Sequence, residues 1–425
     1  MKGARPDMTR SARRMNERGF ALITVFWLAG IGFLCSMIAA GFIMHRTRSV
    51  AAARRSFETT LALDEVCRQL EEKPGFLPRG WESVRDTTIT VGKPDREYRV
   101  RVRRWGLWAV AEISLPQAGQ NTSLSRIVLA GERRPQPGSV LYVRSNRMPL
   151  VLAHEADIRG SVVVADSIMI RPWKGRHFAQ PRPAYIRGAN GFENCDIWDG
   201  FREAIRRWEE NPEALPPSIA LYPSSVTLSR IPESRDGDPV HTVIVLGELC
   251  LQGDWGLSPV CVYAREGVVI EAGSRIIGQI LSERAISISE SHLDWPSLVM
   301  AGNRGWRGES VLSLHDGSVV EGMVGVIHEP GWSAILDQET SGLVFVDPSS
   351  SVRGAIYVQG SLQMLGSLQG WAEIGETFEH EPPTTYHNWI LHGRWQALGQ
   401  RDPLPLFPLA LTHQEYQTTV VEGLR

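Results

Sequence analysis

From Phe20 to Met44 the chain carries no charged residue. A helix of that length spans roughly 37 Å at about 1.5 Å per residue, and a bilayer core needs about 30 Å. A single membrane crossing is the economical reading. A cleavable secretory signal has a shorter apolar region, about 7–15 residues, followed by a small-residue cleavage site. Here the run is too long, and the one cleavage-like junction, Arg18-Gly19-Phe20, stands before it. Residues 1–19 form a basic leader, with Lys2, Arg5, Arg10, Arg13, Arg14 and Arg18 against Asp7 and Glu17.

A basic leader, the Arg18-Gly19-Phe20 junction, an apolar helix and an amphipathic continuation follow one another. In that order they resemble the class III signal of type IV pilin-like proteins. The resemblance implies that a prepilin peptidase cuts between Gly19 and Phe20 on the cytoplasmic side, and that Phe20 becomes the N-methylated terminus. Most members carry Glu at the fifth position after the cleaved glycine; this chain has Thr24 there. A carboxylate in hydrocarbon is costly and marks a function. In the family that function is pairing with a neighbouring subunit's terminal amine during assembly. Members without it include the K-type minor pseudopilin of type II secretion and the X-type minor pilins, at or near filament tips. Thr24 therefore points to a minor subunit. The implied partners are other pilin-like subunits through the N-terminal helix, the prepilin peptidase and the inner membrane. The implied location is single-pass in the inner membrane, N-terminus cytoplasmic, with the head periplasmic or extracellular in a filament. An ordinary single-pass anchor is the plain alternative.

Charge adds little to the topology. Arg46, Arg48, Arg54 and Arg55 follow the apolar run closely, so the excess of basic residues before it favours an inside N-terminus by a small margin. The net charge of -2 over 425 residues provides no global field that would recruit nucleic acid. The 40 glycines exceed the usual ~7% and favour turn-rich β structure. The cysteines at 35, 67, 195, 250 and 261 form no CxxC and no metal spacing. Cys250 and Cys261 are candidates to pair in an oxidising compartment, with buried free thiols the favoured state.

Along the chain, 20–44 reads as the transmembrane half of a helix and 45–74 as its amphipathic continuation. Leu61, Val66 and Leu70 make an apolar stripe, and Pro74-Gly75 supplies the stop. Residues 75–134 read as a small antiparallel sheet, because Tyr98, Val100 and Val102 alternate with Arg99, Arg101 and Arg103. The arginine row is either an anion-binding patch or, preferably, a solvated face guarding an edge. From 139 to 380 short β-rich runs carry a recurring pattern, an aliphatic residue two before and two after a glycine. It centres on Gly160, Gly278, Gly322 and Gly354. Rungs of roughly 20–30 residues with a degenerate copy skipped account for these intervals, and glycine suits a tight corner. The expected fold is mainly β: a pilin-type helix, a small antiparallel sheet, then a right-handed or irregular β-solenoid. A β-sandwich would share much of the pattern. A helical insertion is expected over 196–210, with Ile197, Phe201, Ile205 and Trp208 at helical spacing, covering one end or flank of the solenoid. Residues 381–425 read as a C-terminal cap or arm.

Solenoids also host polysaccharide lyases and hydrolases, which need two carboxylates flanking one bond. Asp316 and Asp347 stand at matching places before consecutive repeats, although plain turn residues account for both. Asp236-Gly237-Asp238 resembles part of a calcium loop but lacks the downstream acidic ligand. His380, His387 and His392 with Glu379 and Glu381 are the densest ligand-type cluster, at spacings that match no helical metal pair. No nucleophile elbow, Walker loop or dinucleotide fingerprint is present. These readings imply no catalytic residue, cofactor or metal. Together with the pilin-like resemblance, which implies the role, they lead to a non-enzymatic minor pilin or pseudopilin-like subunit, at the tip or priming position of a type IV pilus or type II secretion filament. Its head would be exposed to bind a surface polysaccharide or secreted cargo. A membrane-anchored carbohydrate-active β-helix enzyme is the alternative.

Overall fold

The computed structural model describes residues 8–71, 84–91, 96–115, 124–133, 139–144, 148–153, 156–164, 167–171, 182–185, 198–233, 241–256, 258–302, 311–327, 343–382, 384–399 and 417–422. The chain forms two compact units, Met1–Val66 and Cys67–Arg425. The first is built on one helix, α1 (Met8–Glu71), which no proline interrupts. Ser36 in the apolar half donates to the Gly32 carbonyl, and Thr47 just beyond it to that of Ile43. From Phe26 to Met44 its large apolar side chains are exposed, and Phe26–Ala51 is long and apolar enough to cross a membrane. Of the stripe read from the sequence, Val66 and Leu70 are buried and Leu61 is exposed.

The second unit begins with an antiparallel sheet of Val84–Val91, Arg96–Trp105, Trp108–Leu115 and Leu124–Arg133. Tyr98, Val100 and Val102 are buried on one face, while Arg99 and Arg101 meet Asp86 across the strands on the other. The hydrogen bond from Arg101 holds the Asp86 carboxyl below the usual carboxylate range. The arginine row thus lies on a solvated face where Arg99 and Arg101 share Asp86, but its strand is paired on both sides, so the row guards no edge. The chain's last described strand, Gln417–Glu422, joins this sheet beside Leu124–Arg133.

The rest is a parallel β-solenoid with three faces. From Arg275 to Thr377 each described rung runs along the second face, bends into the first, then crosses to the third. The bend is where the glycines stand. Gly278 pairs with Ser297, Ser297 with Gly322, Gly322 with Gly354, and Gly354 with Gly370, rung on rung. All four glycines have φ between +136° and +155°, a region reserved for glycine. A Cβ on Gly322 would lie 1.9 Å from the Ser297 carbonyl oxygen, and one on Gly370 only 1.7 Å from that of Gly354. The bend brings each Cα against the carbonyl of the rung before it, leaving no room for a side chain. The flanking aliphatics, such as Ile276 and Ile280 or Val320 and Val324, all point into the core.

Two copies escape the pattern for physical reasons. In the rung of His292–Ala301, Trp295 and Pro296 form a bulge, and Ser297 takes the glycine's place. This is the degenerate copy between Gly278 and Gly322; between Gly322 and Gly354 none is skipped. In Leu368-Gln369-Gly370-Trp371-Ala372 the second aliphatic is alanine, too small to register as part of the repeat.

The order of the rungs differs from the order of the sequence. Gly160 does not precede Gly278 in the stack; it stands at the opposite end, beyond Gly370, near Val140 and Ala397. One inward column on the first face reads Val243, Val262, Ile280, Val299, Val324, Ile356, Ala372, Leu141, Val162. The chain enters this column near its far end, at 139–164, and later returns to the near end at 219–222. One rung is therefore completed by two distant segments. Arg394–Gln396 supplies its second face, beside Ser367–Glu381 and Asp157–Arg159, and Ser139–Val143 supplies its first. Part of the stretch expected as a cap is thus a working part of the solenoid. The Arg144 guanidinium pairs with buried Glu373 across this junction.

The return connection contains α2 (Asp199–Glu210), whose Phe201, Ala204, Ile205 and Trp208 are buried. They pack on the outer side of the first face with Tyr263, Leu281, Met300 and Met323, Phe201 stacking on Tyr263 at 4.8 Å between centroids. The expected flank-covering helix is present, starting at Asp199; Ile197 lies outside the described residues.

Replacing Gly322 with alanine should destabilise the full chain by roughly 2–5 kcal/mol, strain and overpacking adding together. Gly267, where a Cβ would meet the Ala285 carbonyl at 3.5 Å and Glu248 Cγ at 3.9 Å, both ordinary contacts, should accept alanine within about 1 kcal/mol. Thermal unfolding of the two variants in detergent provides the comparison, and equal losses would refute the glycine column as a steric requirement.

Candidate functional site

With rungs in register, side chains at one phase stack into columns, so the outer surface of each face is set by two alternating positions per strand. The outer side of the first face is covered. Gln279, fully buried, accepts from the Leu107 amide and donates to the Trp105 carbonyl, both at 2.7 Å, fastening the hairpin tip of the small sheet. Beside it, α2 is fixed by a buried carboxylate: Arg202 donates to Glu283 at 2.9 and 3.1 Å, and the Tyr263 hydroxyl donates to the other oxygen. Burial and the Glu283 charge push the Tyr263 phenol upward.

The second face carries charged side chains whose partners lie one rung away or closer. Arg275 meets Asp294 at 2.6 Å, Arg353 meets Glu321 at 2.9 Å, and Arg159 meets Asp157 at 3.0 Å. In the middle of the first two pairs stands His292, its Nε2 3.1 Å from Asp294 Oδ1 and 4.0 Å from Glu321 Oε1. His292 and Asp294 lie two apart on one strand, so they share a face. Glu321 follows Val320, the partner of Leu293, on the next rung. One ligand atom from each of the three lies within 4.8 Å of the others, all half-buried. This is the candidate site. It has one nitrogen and two carboxylates able to hold a cation. His-x-Asp was visible in the sequence as a pair, but Glu321 joins it only through rung register.

The residues singled out from sequence fall elsewhere. Gly19, Phe20 and Thr24 lie within α1, and their side chains are outside the described residues. Asp316 and Asp347 do meet on consecutive turns. There Asp347 accepts from the amides of Asp316, Ser349 and Ser350 and from the Ser349 hydroxyl, and Asp316 sits at φ +55°. Burial raises the Asp347 carboxyl, but hydrogen bonds from Ser350, Asp316 and Ser349 outweigh it and hold the group below the usual range. Its work is to shape a turn. Asp236-Gly237-Asp238 lies outside the described residues.

His380 faces Thr385 and His387 faces Phe378 on an antiparallel hairpin. His387 Nδ1 lies 3.4 Å from Glu376; among the described residues the three histidines are not gathered into a ligand set with Glu379, and the side chain of Glu381 lies outside those residues. Cys250 and Cys261 are both free. Cys261 is buried beneath the first face's cover, and burial pushes its thiol upward. Cys250 lies on the third face against Glu271. Cys195 is outside the described residues.

No family model matches the chain, and no curated protein or solved structure matches it.

Because the Asp347 carboxyl is held below its unfolded value of about 3.9, its contribution is complete above that value and disappears as pH falls through the folded one. Asp347→Ala should therefore cost about 1 kcal/mol at neutral pH, the scale of a lost cap. The gap to the parent protein should close on acidification below about pH 4. Melting curves from pH 7 to pH 3 test this; a gap that stays constant would sink it.

Proposed function

We propose that the chain is a pilin-like minor subunit, anchored by α1 before assembly into a type IV pilus or type II secretion filament and carrying a β-solenoid head. The observation that carries this reading is the helix. It is continuous over Met8–Glu71, with exposed apolar side chains from Phe26 to Met44 and a polar, arginine-bearing half beyond. A helix apolar all round belongs in lipid or inside a packed assembly, and a subunit drawn from a membrane into a filament meets both. The Arg18-Gly19-Phe20 junction lies on the same helix, ahead of the apolar half.

The position of Thr24 refines the role. A subunit without the family's carboxylate has nothing to pair with the amine of a neighbour already in place. It still offers its own amine to a subunit added later. That asymmetry suits the start of a filament, where a bulky head faces outward and does not obstruct the stack.

The enzyme alternative draws less support. A general acid has to hold a proton and deliver it. Asp294 and Glu321, which approach across rungs, are each engaged by a guanidinium, and Asp347 is engaged by its own turn.

Mass spectrometry of the membrane-extracted protein should find a mature N-terminus at N-methylated Phe20; an intact leader, or cleavage after Ala39 or Ala40, overturns the family reading. For the tip position, gold label directed to the head should decorate one end of sheared filaments. Label spread along the shaft would leave the family reading standing and remove the tip.

A further inference from the structure

We propose that His292, Asp294 and Glu321 bind a divalent cation of the zinc type, which bridges two rungs of the solenoid. Three features of the second face converge on this. Two ligands project from one side of a single strand and the third from the neighbouring strand, about 4.8 Å away in a parallel sheet. All three stand on hydrogen-bonded backbone rather than on loops. The carboxylates also have outer partners. Arg275 takes Asp294 Oδ2 and leaves Oδ1 turned toward His292, the arrangement by which a second layer of hydrogen bonds orients a metal ligand. The donor set, one imidazole nitrogen and two carboxylate oxygens, suits zinc with one position left for solvent. Calcium requires six to eight oxygens, so it fits poorly.

The location gives the site a purpose. It lies directly before the bulge of Trp295 and Pro296, where Ser297 interrupts the column of corner glycines. Rung spacing is otherwise enforced there by backbone hydrogen bonds that the bulge breaks locally. An ion held by His292 and Asp294 on one rung and Glu321 on the next ties the rungs together at that gap. Arg353 limits the affinity, because it shares Glu321 Oε1, the oxygen nearest to His292.

The test uses the full chain in detergent, stripped with a chelator and titrated with zinc chloride by calorimetry. One zinc per chain is expected, with a higher melting temperature on saturation. His292→Gln and Glu321→Gln should each weaken binding at least about tenfold, with metal-free melting curves showing that both variants fold. Arg353→Gln releases Glu321 and should bind zinc at least as tightly as the parent, a direction that mere disruption of the face would not produce. His387→Gln should bind as the parent does. Absence of saturable zinc binding, binding indifferent to His292→Gln, weaker binding by Arg353→Gln, or preference for calcium over zinc would each overturn the assignment.

Discussion

The corner between the second and first faces sets the geometry of the whole head. Parallel strands stack about 4.8 Å apart because their hydrogen bonds require it. A sharp bend at that spacing drives each Cα into the carbonyl of the previous rung. Glycine resolves the conflict by having no Cβ, and its φ near +140° turns the strand without breaking the ladder on either side. Once the bend is fixed, the aliphatics two residues before and after it point inward, and the side chains between them point out. The corner between third and second faces is handled differently. Ser274, Ser291, Ser318 and Ser350 are buried there; the first three donate to turn carbonyls, as Ser318 does to Ile288 and His315, and the Ser350 hydroxyl accepts from the Ser318 amide. One corner is made by removing a side chain and the other by using a small polar one.

A stack of parallel strands has two ends with unpaired edges. This chain lengthens its stack by feeding an early segment onto its late end. The first-face ladder passes from Ala372 to Leu141 without interruption, and the second-face ladder passes from Gln369 through Gln396 to Arg159. The Arg144–Glu373 pair, with its carboxylate buried, secures that junction. Such pairing joins residues far apart in sequence, which raises the entropic cost of loop closure during folding. The C-terminal strand repeats the device on a smaller scale by joining the N-terminal sheet.

These facts explain what the sequence could and could not disclose. The glycine corner is legible because its signature is local, one small residue with aliphatics two away on each side, although the steric cause is the carbonyl of the previous rung. Where the bulge at Trp295-Pro296 does the bending instead, the signature vanishes although the rung remains. The helical spacing of Phe201, Ile205 and Trp208 is equally local, so α2 is legible, but its anchor at Glu283 comes from another rung and is not. The position of Gly160 is the clearest limit. Its pattern matches the others, yet nothing near it records that its neighbours are Val140 and Ala397 rather than the next repeat downstream. The site at His292 fails for the same reason, since rung lengths vary and Glu321 stands beside Asp294 only after register is known.

The outer surfaces of the faces then acquire different uses. The first is covered by α2 and the hairpin tip, with Gln279 standing in for a strand partner, so it serves cohesion. The second keeps its charges open to solvent but matched: Arg275 with Asp294, Arg353 with Glu321, Arg159 with Asp157. Where two carboxylates and a histidine crowd together, Arg275 orients Asp294 from outside and leaves Oδ1 turned inward, while Arg353 shares the Glu321 oxygen nearest to His292. That arrangement serves poorly for passing a proton and well for holding a cation, which is why the same ion pairs that weaken the hydrolase alternative favour a metal strut at the bulged rung.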